Sequence, residues 1–214
     1  MQKPEKILSG KGLLLVEGAD EKYFFIHACE AYELEHIQVM DFGGVTDLPG
    51  FLKLLKKAHG FNDVKSLAIV QDAETNAERA INDIRSALIR NEFPVPSQPF
   101  EQIGDEMISV EFGIFPGTKI ENCWNSGTLE DLCLETVSCD PLLLLADSYV
   151  DWADKLSPIH HRHKARLHTY LSGKEKYIGL KIGEAARSGA WNWEHPVMRP
   201  FHELIKRLDA DARI

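Results

Sequence analysis

Leu13-Leu14-Leu15-Val16-Glu17-Gly18-Ala19-Asp20-Glu21 decides how this chain is read. Four apolar residues run into Glu-Gly, and an amphipathic segment starts directly behind them. The pattern predicts a buried strand that ends on a carboxylate, turns at a glycine and continues as a helix. Ligands of open α/β sheets bind beyond the carboxyl ends of the strands, so Glu17 falls where chemistry is usually placed. A second stretch repeats the logic: Ser66-Leu67-Ala68-Ile69-Val70-Gln71-Asp72-Ala73-Glu74 is an apolar strand ending in Asp-x-Glu. On an extended segment Asp72 and Glu74 fall on the same side. Acids ahead of a helix can simply favour its N-terminal dipole. Thr75-x-x-Glu78, however, already reads as a capping box for the helix that follows. Three carboxylates on two strand tips therefore suggest a divalent-metal site. Mg²⁺ takes one or two carboxylates and leaves the rest of its shell to water and phosphate.

Outward from these two tips, strands and helices alternate. Strands are expected over about 12–17, 36–42, 66–71 and 107–115, with helices over about 20–32, 47–58 and 76–91. Short connections between such units imply right-handed βαβ crossovers and a mostly parallel sheet. Glu17, Gly43-Gly44 and Asp72/Glu74 would then gather along one sheet edge. The second half changes character. Thr128-Leu129-Glu130-Asp131 opens a helix with capping chemistry, and further helices are expected over about 141–156, 160–172 and 196–208. The expected organisation is an α/β domain over 1–120 with a helical extension over 121–214 packed on it.

Composition bounds the function. A charged fraction of 27% and an apolar fraction of 44% describe an ordinary globular chain able to bury a core. No apolar run approaches the ~20 residues of a membrane helix, and Met1-Gln2-Lys3-Pro4-Glu5-Lys6 lacks a signal-peptide core. A cytoplasmic protein that does not engage membranes is expected. Cys29, Cys123, Cys133 and Cys139 show no Cys-x-x-Cys spacing, so structural thiols are expected. The net charge of −9 argues against a general nucleic-acid coat protein. Its distribution is uneven: residues 101–157 carry 12 acids and 2 bases, whereas 158–190 carry 7 bases and 2 acids. The basic segment has two readings, a local phosphate-facing surface or a helix face that neutralises its acidic neighbour. Its run His160-His161-Arg162-His163 has no third ligand in a zinc pattern. Trp191-Asn192-Trp193 could stack on bases or pack as a buried corner.

Leu15-Val16-Glu17-Gly18-Ala19-Asp20-Glu21-Lys22-Tyr23-Phe24, Asp41-Phe42-Gly43-Gly44 and Val70-Gln71-Asp72-Ala73-Glu74 together resemble the Toprim fold. That family includes primases, topoisomerases and the overcoming-lysogenization-defect (OLD) nucleases. The chain is most similar to small Toprim-like proteins related to the OLD nucleases, and the likeness spans about residues 10–118. The resemblance implies a Rossmann-like Toprim domain in which Glu17 is a general acid/base or a ligand. Asp72 and Glu74 would bind Mg²⁺ or Mn²⁺, and Glu74 stands where the family usually has Asp. It also implies that Asp20 joins the site, that Gly127-Thr128-Leu129-Glu130 brings Glu130 to a second ion, and that Lys164 stabilises transition-state charge. Lys164, Arg166, Lys174 and Lys176 would contact nucleic acid, DNA or RNA. No P-loop of the Gly-x-x-x-x-Gly-Lys-Ser/Thr type is present, so any ATPase partner would be a separate chain. The implied activity is a metal-dependent nuclease. The competing expectation is a non-catalytic binding or regulatory module in phage defence or a toxin–antitoxin pair, favoured by the overall acidity and by Glu74.

Overall fold

A computed structural model of the chain describes Pro4, residues 8–104 and residues 107–213. Strands β1 (Gly12–Val16), β2 (Ile37–Asp41) and β3 (Ser66–Asp72) alternate with helices α1 (Ala19–Ala31), α2 (Leu48–Leu55) and α3 (Ala77–Arg90). A two-residue strand β4 (Ile103–Gly104) precedes β5 (Ser109–Phe115), and a hairpin of β6 (Lys119–Ile120) and β7 (Cys123–Trp124) follows. Beyond it come α4 (Leu129–Glu135), α5 (Pro141–Leu156), α6 (Arg162–Ser172), α7 (Ile182–Arg187) and α8 (Arg199–Ala212). The main sheet runs β2-β1-β3-β5-β4, parallel throughout except for β4 at its edge. This is the expected α/β architecture with a mostly parallel central sheet.

Alternation along the strands divides the core into two layers. Leu13, Leu15, Leu67 and Ile69 pack with Phe51, Leu52 and Leu55 of α2 and Ile84 and Leu88 of α3. Leu14, Val16, Ala68 and Val70 pack with Phe24 and Phe25 of α1 and with Phe201, Leu204 and Leu208 of α8. Burial on both faces explains why β1 and β3 read as unbroken apolar runs. Each fully buried leucine contributes roughly 1.5–3 kcal/mol. Leu129, Leu132, Leu143, Leu167 and Ile182 from α4 to α7 join that same core, so helices after residue 121 cover one face of the sheet. Two polar contacts fix α8 there. Arg207 grips the buried Glu111 carboxylate on β5 with two hydrogen bonds, one of them from Nε at 3.0 Å. Asp209 accepts the His36 backbone N–H at 2.8 Å and Arg213 Nε at 2.8 Å.

Several details depart from the sequence reading. The cap of α3 is Asn76, whose side chain accepts the Arg79 N–H at 3.0 Å, one residue later than the Thr75 box. Strand β4 is too short to leave an alternating signature. The last helix begins at Arg199, after a single 3₁₀ turn over Pro196–Met198, and runs to Ala212. Trp191 is buried, and Trp193 lies 5.1 Å from the Phe24 ring, so this pair forms a packed corner. Cys29 and Cys133 are buried and Cys123 and Cys139 exposed, all as free thiols. No helix among the described residues is long and apolar enough to cross a membrane.

Candidate metal and active-site cleft

In register, Val16 lies beside Asp41 on one side and Val70 on the other. Glu17 and Asp72 therefore leave the sheet on neighbouring strands at the same edge. A cleft of about 500 Å³ opens there, lined by Glu17, Asp20, Glu21, Asp41, Asp72, Glu74, Glu130 and Lys164. Seven acids thus face a single base among the described lining residues. Glu17, Asp20, Asp72, Glu74, Glu130 and Lys164, all singled out from the sequence, come together.

Local structure explains the placement. Gly18 precedes α1, and a Cβ there would lie 2.9 Å from Glu21 Oε2. Glycine leaves the Glu21 carboxylate room at the helix start, where the macrodipole favours Asp20 and Glu21. The segment after β3 is clasped to the start of α4 from both ends. Leu129 N–H donates to Asp72 Oδ1 at 2.9 Å, and Glu74 N–H donates to Gly127 O at 2.9 Å. Glu74 adopts φ +50°, a left-handed conformation uncommon outside glycine and held here by that clasp. Thr128 and Asp131 close a capping box, Thr128 N–H donating to Asp131 Oδ2 at 2.9 Å. The neighbouring Leu129 N–H is thereby left for Asp72, and Glu130, only 7% exposed, is set beside the cleft.

The electrostatics are those of crowded carboxylates. Burial pushes the Asp72 carboxyl up to about 9, the charges of Glu21, Glu130 and Glu17 adding to it and the Leu129 hydrogen bond opposing. Burial likewise raises Glu21 to about 7, with Glu17, Asp20 and Glu130 contributing. Glu17 is also raised, first by burial and then by Glu74, against hydrogen bonds from the backbone at Asp72 and Val45 and the Lys164 charge. Its Oε2 atom is buried without a hydrogen-bond partner. None of Glu17, Asp72 and Glu74 forms an ion pair among the described residues. Nor do three His, Cys, Asp or Glu side chains there stand close enough together, as placed, to ligate one ion. The fit to a cation rests on charge and on the orphaned oxygen, not on a finished coordination shell.

Sequence reasoning missed Glu21 and Asp41. Glu21 was visible as the residue one turn beyond Glu17, and Asp41 as the last residue of an apolar strand, the criterion that had found Glu17. The basic segment divides. Lys164, exposed in the first turn of α6, lines the cleft. Arg166 instead binds Asp147 through Nε at 2.6 Å and Nη2 at 3.1 Å. Lys174 pairs with Asp140, and Lys176 lies 5.5 Å from the Tyr177 ring centre. Arg162 bonds both Asp151 and Asp154. Much of the basic segment thus neutralises α5, the second of its two readings.

Residues 11–209 match the model of a family described as protein of unknown function, DUF3226. The chain belongs to the DUF3226 family. No curated protein matches it. Among solved structures, this DUF3226 chain is similar to the C-terminal region of the Xanthomonas campestris pv. campestris OLD protein. The TM-score is 0.52 at 16% identity, over 95% of this chain and 98% of that one. At that identity the likeness is one of fold. It agrees with the OLD-related resemblance of the motifs around Glu17 and Asp72.

Proposed function

We propose that this DUF3226 protein is a Mg²⁺- or Mn²⁺-dependent phosphoryl-transfer enzyme of the Toprim class that cleaves nucleic acid. The observation that carries the reading is the convergence of Glu17, Asp20, Asp72, Glu74 and Glu130 with Lys164 on one cleft at the carboxyl edge of a parallel sheet. Carboxylates crowded enough to raise one another's proton affinity fit a site that takes a cation. Asp72, Glu74, Glu130 and Asp20 would hold it. A bound Mg²⁺ or Mn²⁺ would offset phosphodiester charge and polarise a phosphoryl oxygen. Glu17, whose proton affinity burial raises, would accept the proton of an attacking water. Lys164 would face the charge that builds on the phosphate in the transition state. The Toprim-like motifs and the fold shared with an OLD C-terminal region support the same class.

A non-catalytic nucleic-acid or protein-binding module is the second reading. It is favoured by the commitment of Arg162, Arg166 and Lys174 to ion pairs within the chain. The two separate in one experiment. Wild type and Asp72→Ala are incubated with single- and double-stranded DNA and RNA, with Mg²⁺, with Mn²⁺ and with chelator. The enzyme reading expects metal-dependent cleavage by wild type, reduced at least a hundredfold in Asp72→Ala while binding persists. Binding without cleavage under every metal condition would put the module in its place.

A further inference from the structure

Helix α5 presents large apolar side chains on a face that nothing in the described fold covers. Leu145 is 66% exposed, Tyr149 65%, Trp152 68% and Leu156 87%. Spaced i, i+4, i+7 and i+11, they form one stripe along the helix, with Leu144, 71% exposed, at its flank. Leu143, Ala146 and Val150 bury the opposite side of α5 in the core. The five side chains expose roughly 700 Å², more than the ~300–600 Å² of the largest patch on a typical monomer. A standard interface buries ~800 Å² per partner, so this stripe comes close to supplying one.

We propose that the stripe is the contact face of a two-fold homodimer in which α5 packs antiparallel on α5 of a second copy. Three features select a second copy over another partner. The first is register. Reversed about the midpoint between Val150 and Asp151, the stripe falls on itself, Leu145 meeting Leu156 and Tyr149 meeting Trp152. A two-fold contact requires this self-complementarity, residue i on j and j on i, and a foreign partner does not. The second is charge. Two chains of net charge −9 repel, yet the α5 acids lie on the side of the helix turned toward α6, away from the stripe, and are neutralised within their own chain. Asp147 is held by Arg166 at 2.6 Å, Asp154 by Arg162 at 2.7 Å, and Asp151 by the same Arg162 guanidinium. The third is area, since roughly 700 Å² approaches the ~800 Å² that each partner of a standard interface buries. The inference stands apart from the cleft's chemistry, although α6 both pairs with α5 and carries Lys164 into the cleft.

The test is the mass of the full chain in solution, by light scattering and sedimentation from low micromolar to about 100 μM. Twice the monomer mass of 24.2 kDa is expected. Leu145→Glu and Trp152→Glu should weaken association at least tenfold with unchanged circular dichroism, because both side chains are exposed in the single chain. Register is read by cross-linking in a Cys123→Ser, Cys139→Ser background, with copper phenanthroline as catalyst and dissolved O₂ as the terminal oxidant that takes the two electrons and two protons released when two thiols form a disulfide. Leu145→Cys mixed with Leu156→Cys should give a disulfide dimer, and Leu145→Cys alone should not. A monomer at every concentration, a dimer indifferent to Trp152→Glu, or cross-linking of Leu145→Cys to itself in preference to Leu156→Cys would each overturn the proposal.

Discussion

Asp72 holds the most informative single position in the chain. Its carboxyl and that of Glu21 lie above their unfolded values, so the folded, metal-free protein binds more protons than the unfolded chain across that range. Stability is then greatest below the ordinary carboxylate range. It falls as pH rises through about 7 for Glu21 and toward about 9 for Asp72. The slope approaches ~1.4 kcal/mol per pH unit for each titrating carboxyl. Melting curves of the chelator-treated protein should therefore shift down between pH 5 and pH 9. Asp72→Asn, which keeps an oxygen to accept the Leu129 N–H, should raise the melting temperature at pH 8 and flatten the decline. A metal-free protein whose stability rises over that window would contradict the crowded-carboxylate account. Glu17, Asp72 and Glu74 were legible because each ends an apolar strand. Glu21 left a weaker signal, its place one turn beyond Glu17, since its role depends on the first turn of α1 folding back beside Glu17. Arg166 and Lys174 were misleading for a similar reason: a basic run shows its charge but not the acids of α5 that meet it.

Among elements, the start of α4 clasps the site, and α8 covers the second face of the sheet. Alternation and turns announced the βαβ half of the fold, because both faces of the sheet are buried and the strands carry that pattern. Which helix would cover the second face was not written locally. Glu111 sits mid-strand in an apolar run, and its partner Arg207 lies 96 residues away. Arg207→Ala should leave that buried carboxylate unpaired and cost about 2–4 kcal/mol in urea denaturation. The double variant Glu111→Leu, Arg207→Leu should recover most of the loss, and an Arg207→Ala effect below about 0.5 kcal/mol would remove the pair from the account. Gly127 has φ +151°, and a Cβ there would lie 3.0 Å from both Asp131 Oδ2 and the Pro116 ring. Gly127→Ala should shift the clasp between the Asp72–Glu74 segment and α4. Mn²⁺-induced stabilisation should then shrink even though no proposed ligand has been altered, and an undiminished thermal shift would count against the clasp.

Across the whole molecule, the proposed function would require an acidic chain to handle a polyanion. Its means would be a cation in the cleft and Lys164 beside it, with little free positive charge on α6 to add. Lys164→Ala should therefore weaken nucleic-acid binding evenly across sequences and lower the salt slope by about one unit. Arg166→Ala should instead loosen α5 against α6, costing about 1 kcal/mol of stability, with little change in salt slope. Titrations at two salt concentrations beside thermal melts distinguish these outcomes, and a large slope change in Arg166→Ala would restore the phosphate-facing surface. Everything in the proposed chemistry depends on the cleft holding a divalent cation. Calorimetric titration of Mn²⁺ into the chelator-treated chain near neutral pH, beside Asp72→Asn and Glu74→Gln, tests this most directly. Saturable binding by the wild type, at least tenfold weaker in both variants, is the predicted result. No binding by the wild type, or binding that survives undiminished in Asp72→Asn, would contradict it.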